Sequence, residues 1–181
     1  MTLTRPVLVQ LTLSLAAAAA LSGCTTMTSK PPPAAAPVQY TGTPQEQWVQ
    51  GQAAYLAWSA ARPGWTTTES GLQYHVVKKA KASAPKPAPG AVVTIHYVGT
   101  FIDGRKFDSS RDRGEPATFP LDRLIKGWQE GVPLMRVGEV WQFVIPADIG
   151  YGDRSRDPIP PGSALLFEIE LIAIPPQDAA G

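Results

Sequence analysis

The stretch Leu121-Asp122-Arg123-Leu124-Ile125-Lys126-Gly127-Trp128 decides how this chain folds. Its apolar residues recur at i, i+3, i+4 and i+7, which predicts one face of a helix of about two turns. A helix this short is not stable alone in water, so neighbouring strands must cover its apolar face. The ordinary interpretation is a plain core helix. The alternative is that Trp128 forms the floor of a pocket.

The segments on both sides of this stretch have the alternating pattern of β-strands. Strands are predicted at residues 72–77, 91–101, 105–108, 139–145 and 164–174, with a brief extended piece at 118–120. Asp103-Gly104 is a strong signal for a two-residue hairpin turn. The sequence therefore predicts an α+β fold, in which a curled antiparallel sheet of about five strands wraps around one short helix.

Aromatic residues are more numerous in these segments than so small a core needs. They fall on different predicted strands, in the central stretch and in a loop: Tyr97, Phe107, Phe119, Trp128, Tyr151 and Phe167. Aromatic side chains that converge and stay partly open are typical of a binding pocket. This favours the pocket interpretation of Trp128.

The composition indicates a globular protein of nearly balanced charge. The chain has 181 residues and a formal net charge of +1, which suggests one domain with appendages. Its prolines cluster near residues 31–37, 85–89 and 158–161, where they mark linkers and turns. A basic stripe with interleaved aromatic residues is absent from the sequence, so no nucleic-acid binding is expected.

Covalent and metal chemistry have little support in the sequence. The only cysteine, Cys24, precedes the predicted domain, and His75 and His96 lie on predicted strands without ligand spacing. The sequence has no phosphate-binding glycine loop and no nucleophile elbow, so neither a cofactor nor a metal is expected. His96 is more simply explained as a strand residue than as a base. Residues 103–115 are rich in charge, as solvated loops usually are, but Asp108 stands out because it directly follows an apolar aromatic residue.

Residues 1–23 have the layout of a secretory signal peptide. Arg5 is the only charge in this segment, and an apolar run at 7–21 contains five consecutive alanines. The run is shorter than the roughly 20 residues that a membrane-spanning helix needs. Removal of residues 1–23 would leave a chain with no net formal charge.

The sequence Leu21-Ser22-Gly23-Cys24 resembles a bacterial lipobox. That resemblance implies cleavage before Cys24 and lipid on its sulfur, with each buried CH₂ group contributing about 0.8 kcal/mol to membrane anchoring. The alternative is ordinary cleavage after Ala20, which would leave an idle thiol. Thr25 follows the cysteine where an aspartate would signal inner-membrane retention in enterobacterial sorting. A lipid-anchored protein of the bacterial cell envelope is expected, in the outer membrane rather than the inner and facing the periplasm.

The remaining segments complete a predicted domain plan. Residues 24–43 are rich in Thr, Ser, Pro and Ala and have too few large apolar side chains to fold, so they are interpreted as a tether. A helical extension is predicted at 44–65, the globular domain at 66–176, and a flexible tail at 177–181.

The helical extension begins with a clear start signal. Thr43 is a plausible N-cap, Pro44 suits the first helical position, and Glu46 completes a capping box, so a helix is predicted over residues 44–61. We expect this helix to pack on its own domain, which favours a monomer. Dimerisation through its aromatic residues is the alternative: Trp48, Tyr55 and Trp58.

Several motifs together carry a family resemblance. They are His96-Tyr97-Val98-Gly99-Thr100, Asp103-Gly104-Arg105-Lys106-Phe107-Asp108-Ser109-Ser110 and Ile125-Lys126-Gly127-Trp128-Gln129-Glu130-Gly131, followed in order by Pro146, Tyr151-Gly152, Ile159-Pro160-Pro161 and Leu166-Phe167. Over residues 71–174 the chain resembles the FKBP-type peptidyl-prolyl cis-trans isomerases. A predicted helix followed by Ser70-Gly71-Leu72-Gln73-Tyr74 resembles the bacterial periplasmic branch.

The resemblance implies a role for each matched residue. Six would carry the reaction: Tyr97, Phe107, Asp108, Trp128, Tyr151 and Phe167. Five others would contact the peptide or support those that do: Arg113, Ala117, Leu124, Ile125 and Ile159. Trp128 would lie beneath the proline ring, the backbone N–H of Ile125 would donate to a substrate carbonyl, and Arg113 would hold Asp108. The implied partners are proline-containing polypeptides and macrolides such as tacrolimus or rapamycin.

Two departures from the family pattern affect the pocket wall and the loop above it. Ala117 stands where many eukaryotic members have an aromatic residue, which bears on macrolide binding more than on turnover. The loop at 153–158 is charged and slightly shorter than in the eukaryotic type. Two other functions stay open at this point: a non-catalytic chaperone that holds proline-containing segments, and a surface interaction lipoprotein that uses its tether.

Overall fold

The computed structural model describes residues 41–176, and all its described strands form one antiparallel sheet. The sheet has seven strands in the order β1-β2-β6-β7-β3-β4, with β5 also paired to β3. The expected α+β class is confirmed, but the strand count is larger than about five. The strands are β1 (Thr66–Thr67), β2 (Gln73–Lys78), β3 (Val92–Phe101), β4 (Lys106–Ser109), β5 (Ala117–Pro120), β6 (Val140–Ile145) and β7 (Leu165–Ala173).

β3 is the strand that organises the sheet. Its burial alternates as predicted, with Val93, Ile95 and Tyr97 in the core and the intervening side chains half-buried on the outer face. On one side it pairs with β7, which places Gly99 opposite Phe167. On the other side β5 pairs with its first half and β4 with its second. β3 therefore brings three separate segments of the sequence to one place.

The structure divides residues 121–128, for which the sequence predicts one continuous helix. A 3₁₀ turn covers Leu121–Arg123, Leu124 and Ile125 are extended, and helix α2 spans Lys126–Gly131. The prediction is therefore wrong for the start of the helix. The Gln129 side chain stabilises this interruption, because its Nε2 donates to the carbonyl oxygen of Leu124 at 2.7 Å. In an unbroken helix the Leu124 carbonyl oxygen would accept a backbone N–H, and the Gln129 side chain supplies a donor in its place.

Helix α2 contacts three strands of the sheet, β3, β6 and β7, as expected for a sheet that wraps around it. Trp128 meets Tyr97 of β3 and Phe167 of β7. Gly127 faces β6 so closely that a Cβ at this position would lie 2.6 Å from Cγ2 of Ile145. Only a residue without a side chain lets the α2 backbone approach β6 at this distance, and this approach sets the depth of Trp128.

Helix α1 spans Pro44–Ala60 and begins as predicted. Thr43 is the N-cap, and both hydrogen bonds of the capping box with Glu46 are present. The helix packs on its own domain, because the buried Gln52 and Ser59 form hydrogen bonds to residues of the domain. None of the helices within residues 41–176 has the length and hydropathy that crossing a bilayer requires. The predicted signal peptide, Cys24 and the tail at 177–181 lie outside the described residues, as does the tether up to residue 40.

Candidate active site

The floor of the candidate site is the indole ring of Trp128, which is 5% exposed. Two rings stand edge-on to it: the centroid of Tyr97 lies 5.3 Å away at an interplanar angle of 78°, and that of Phe167 lies 5.0 Å away at 87°. Edge-to-face packing of this kind is favourable because the positive edge of one ring meets the negative face of the other. Contacts from β3 and β7 therefore fix the plane of Trp128.

Phe107 extends this aromatic cluster along one side. Its ring meets Phe167 edge-on with centroids 5.6 Å apart, and Phe101 packs against it at 5.0 Å. Gly99 of β3 makes this arrangement possible, since a Cβ there would lie 2.7 Å from Phe107 and 2.8 Å from Phe167. A side chain at Gly99 would displace both rings.

Tyr97, Asp108 and Arg113 form a closed polar triad at the edge of the aromatic cluster. The Tyr97 hydroxyl donates to Oδ2 of Asp108 at 2.5 Å, and Nη1 of Arg113 donates to Oδ1 at 2.6 Å. Nη2 of Arg113 also donates to the Tyr97 hydroxyl oxygen at 2.8 Å. The contact of Arg113 with Asp108, expected from the resemblance, is present. The triad holds the Tyr97 ring in its edge-on orientation.

The triad also shifts the titration of its members. Burial acts to raise the pKa of Asp108, but the hydrogen bonds from Tyr97 and Arg113 outweigh it and hold that pKa below its usual range. Burial and the adjacent carboxylate raise the pKa of Tyr97, despite the opposing effect of Arg113. At neutral pH the triad therefore comprises a carboxylate, a neutral phenol and a guanidinium.

Two N–H groups in and next to α2 have no partner in the described part of the chain. The Nε1 of Trp128 is fully buried and has no acceptor within residues 41–176. The backbone N–H of Ile125 lies just before α2, where the extended Leu124 and Ile125 leave it outside the helical hydrogen bonds, and no described acceptor contacts it. The Trp128 Nε1 is enclosed by protein, whereas Ile125 is only half-buried, so the Ile125 N–H is the better placed of the two to donate to a ligand's carbonyl oxygen.

One loop packs against the hydrophobic core that contains Trp128, and we call it the rim segment, residues 150–162. Tyr151 and the buried Ile159 both pack against the core cluster that contains Trp128. The guanidinium of Arg156 lies 5.0 Å from the Tyr151 ring centroid. Residues 153–158 are all exposed, so the segment presents its charged part to solvent.

The structure brings the predicted site residues together. All the predicted site residues with apolar or aromatic side chains belong to the hydrophobic core cluster or pack against it. The other two, Asp108 and Arg113, are joined to Tyr97 by the triad. Ala117 and Phe119 are both partly buried on β5, and the Phe119 ring lies 6.4 Å from Tyr97. Phe119 thus covers part of the wall next to the small Ala117. The functional roles of these residues remain predictions.

The sequence reasoning missed one supporting residue, Phe101. It backs Phe107 from the core side and is 4% exposed. The signal was available, because Phe101 continues the alternation of Val93, Ile95 and Tyr97 along β3. Within residues 41–176 no group of three His, Cys, Asp or Glu side chains is placed to hold a metal ion.

Comparisons with known proteins agree with this geometry. The family model for FKBP-type peptidyl-prolyl cis-trans isomerase matches residues 83–172. The chain is 49% identical over 127 residues to the FKBP-type peptidyl-prolyl cis-trans isomerase FkpA of Aeromonas hydrophila, covering 70% of this chain and 47% of that protein. It is 41% identical over 122 residues to the Outer membrane protein MIP of Legionella longbeachae, covering 67% of this chain and 52% of that protein. The chain thus spans about half the length of these curated relatives.

A solved structure extends the agreement to the fold. The crystal structure of a peptidyl-prolyl cis-trans isomerase from Pseudomonas syringae pv. tomato superposes with a TM-score of 0.67 at 34% sequence identity. The match covers 75% of this chain and 99% of that one. The chain belongs to the FKBP-type peptidyl-prolyl cis-trans isomerase family.

Proposed function

We propose that the protein is a peptidyl-prolyl cis-trans isomerase that acts on proline-containing polypeptides. The observation that carries this proposal is the Trp128 ring, buried as a floor between the edge-on rings of Tyr97 and Phe167. An apolar aromatic floor fits the flat, apolar pyrrolidine ring of proline.

The reaction requires rotation about the X-Pro amide bond, against a barrier of about 18–20 kcal/mol that arises from amide resonance. In the twisted transition state this resonance is lost, and the carbonyl oxygen loses negative charge. An apolar site favours this less polar species over the planar amide. Catalysis is then differential binding, and each 1.36 kcal/mol gained by the transition state alone corresponds to about a tenfold rate increase.

The remaining site residues would hold the peptide on both sides of the proline. The N–H of Ile125 would donate to a peptide carbonyl oxygen, while Leu124, Ile125 and Ile159 would contact its side chains. Asp108 and Tyr151 would supply polar contacts at the edge, with Arg113 fixing Asp108. The Ile125 N–H supports this assignment, since it has no acceptor within the described residues and a bound carbonyl would supply one.

The test is a measurement of cis/trans exchange on a short X-Pro peptide with the full chain. We expect acceleration by the native protein and its loss in the double variant Asp108→Ala with Trp128→Ala. A native protein that binds the peptide without accelerating exchange would instead be a proline-binding chaperone. Acceleration that survives the double variant would contradict the assignment of the site.

We also propose that the protein is anchored in the cell envelope through lipid on Cys24. The lipobox-like sequence before Cys24 supports this, and one relative carries the name of an outer membrane protein. Outer-membrane attachment facing the periplasm is the preferred location, with residues 24–43 as tether. Cys24→Ser should abolish membrane association and processing, and unchanged behaviour of this variant would contradict the lipid anchor.

We also propose that the protein is a monomer and that it binds only weakly the macrolides known to bind FKBP-type proteins. The monomer is supported by α1, whose buried polar residues contact its own domain. Tacrolimus or rapamycin would meet the same aromatic floor as the peptide, but the small Ala117 leaves one part of the wall less covered. Analytical ultracentrifugation and macrolide inhibition of peptide exchange test these two points.

A further inference from the structure

Helix α1 is attached to the domain at two separate places. Near its C-terminal end, Ser59 Oγ donates to Oε1 of Gln73 at 2.5 Å, and Nε2 of Gln73 donates to the carbonyl oxygen of Leu56 at 2.9 Å. Gln73 belongs to β2, so this end of the helix is held by the sheet. These contacts lie away from the rim segment.

The first half and middle of α1 contact the chain at and just beyond the end of the rim segment. Oε1 of Gln52 accepts the backbone N–H of Ala164 at 3.0 Å, and Gln52 is 4% exposed. Val49 packs on the same part of the loop, since its Cγ2 lies 3.4 Å from where a Cβ on Gly162 would stand. Ala164 precedes β7 and has no ladder partner there, so its N–H needs an acceptor from outside the sheet.

A short series of hydrogen bonds connects this contact to the site. The N–H of Gly162 donates to the carbonyl oxygen of Gly152 at 3.0 Å, which closes the base of the rim segment. The N–H of Gly152 in turn donates to the carbonyl oxygen of Ala147 at 2.8 Å. Gly152 directly follows Tyr151, so the segment that α1 holds is the one that carries a predicted site residue.

We propose that α1 is a positioning element for the rim segment, with Gln52 as its main positioning residue. By accepting the Ala164 N–H, Gln52 fixes the base of the loop and thereby the placement of Tyr151 and Ile159 over the floor. The catalytic part of this inference rests on the proposed isomerase function. The structural part, which concerns the order of the loop, does not.

The experiment compares Gln52→Met with Ser59→Ala in the full chain. Each variant removes one buried hydrogen bond of α1, but only Gln52 bonds to Ala164, just beyond the end of the rim segment. Amide hydrogen exchange at Gly162 and Ala164 is expected to accelerate about fivefold in Gln52→Met, as loss of one neutral hydrogen bond implies, and to stay unchanged in Ser59→Ala. Val49→Ala should act in the same direction with a smaller effect, which covers the case in which Gln52→Met folds poorly.

Peptide exchange kinetics give the second readout. Because the rim segment would contact the peptide while the floor is untouched, Gln52→Met should raise KM about fivefold and change kcat less than twofold. Equal effects of Gln52→Met and Ser59→Ala, or no change in exchange at Gly162 and Ala164, would overturn the proposal. A native protein without isomerase activity would contradict the proposed function alone, because the hydrogen-exchange result stands independently.

Discussion

The floor and the rim of the site are held by different forces. Trp128, Phe167 and Tyr97 are each at most 6% exposed, and rings from three elements pack against one another. In the rim segment, residues 153–158 are all exposed, and the loop is closed by a few backbone hydrogen bonds. Many contacts therefore fix the side-chain positions at the floor, whereas the position of the rim segment depends on a few single contacts. Substitutions at the floor should cost both stability and turnover, and those at the rim should mainly change affinity.

The largest effect is expected for Trp128→Leu. Loss of the floor should lower kcat/KM about 100-fold or more, which corresponds to about 2.7 kcal/mol of transition-state stabilisation. The free energy of unfolding should fall by roughly 2–4 kcal/mol, as for other large-to-small core changes. Peptide exchange and denaturant unfolding measure the two quantities.

Trp141→Leu is the matched control, since Trp141 is 7% exposed but packs on Tyr74 and Phe143 instead of the site. It should lose at least as much stability, because its Nε1 donates to the buried Glu139. Its kcat/KM should stay within about threefold of native where it is folded. Equal losses of kcat/KM in both variants would mean that the floor has no special part in turnover.

The next effect concerns the space beside the floor. Gly99→Ala places a Cβ within 2.8 Å of both Phe107 and Phe167. Overpacking of this kind should cost roughly 1–3 kcal/mol of stability and lower kcat/KM clearly. Gly104→Ala is the comparison, because its positive φ of 86° strains an alanine but nothing lies within 4 Å. That variant should lose stability and keep its turnover.

Asp108→Asn tests the polar triad at the edge of the aromatic cluster. We expect kcat/KM to fall about three- to tenfold, a moderate effect because the Asp108 side chain is 42% exposed. Asp103→Asn also breaks an ion pair, with Arg105 at 2.7 Å, but in the neighbouring turn, so it should leave turnover unchanged. An equal loss in the two variants would show that the triad has no specific effect.

The same carboxyl predicts a pH dependence. The folded pKa of Asp108 lies below its unfolded value of about 3.9. Its contribution to stability is therefore full above that pH and is lost as the pH falls through the folded pKa. The difference in unfolding free energy between native protein and Asp108→Asn should be constant from pH 8 to 5 and shrink below about pH 4. A difference that grows on acidification would contradict the triad.

The smallest effect is expected at the rim. Arg156→Ala removes a cation–π contact with Tyr151 but keeps the backbone hydrogen bonds between Arg156 and Ile159. Stability should fall by no more than about 1 kcal/mol, the upper value for an exposed contact of this type. The KM for a neutral peptide should change less than about twofold. A large loss of kcat would show that the rim is as tightly determined as the floor.

Local pattern was sufficient to predict five of the seven described strands and the start of α1. Alternation along β3 and β7 reports burial on one face directly, and the capping box of Thr43 and Glu46 is a local motif. The start of α2 could not be predicted in this way. The apolar spacing of residues 121–128 fits a helical face, but the backbone is extended at Leu124 and Ile125, and a side chain later in the sequence, Gln129, stabilises this break.

The residues of the candidate site were predicted from the sequence, but the distances and angles between their side chains were not. The family motifs named Trp128, Tyr97 and Phe167, while the edge-on angles depend on contacts between distant strands. β1 has two residues, too few for any alternation to be detected. The contact of Gln52 with Ala164 joins residues 112 positions apart, and no local pattern encodes it.

The indole N–H of Trp128, which has no partner among the described residues, can report whether a ligand occupies the site. Each of the five tryptophans contributes one indole resonance to a nitrogen-15 NMR spectrum. The Trp141 indole is already hydrogen-bonded to Glu139, and the Trp48 indole, also without a described partner, lies on α1. A proline peptide that enters the site should therefore shift the Trp128 resonance and leave the other two in place. Occupancy could then be titrated on the nitrogen-15-labelled full chain without turnover.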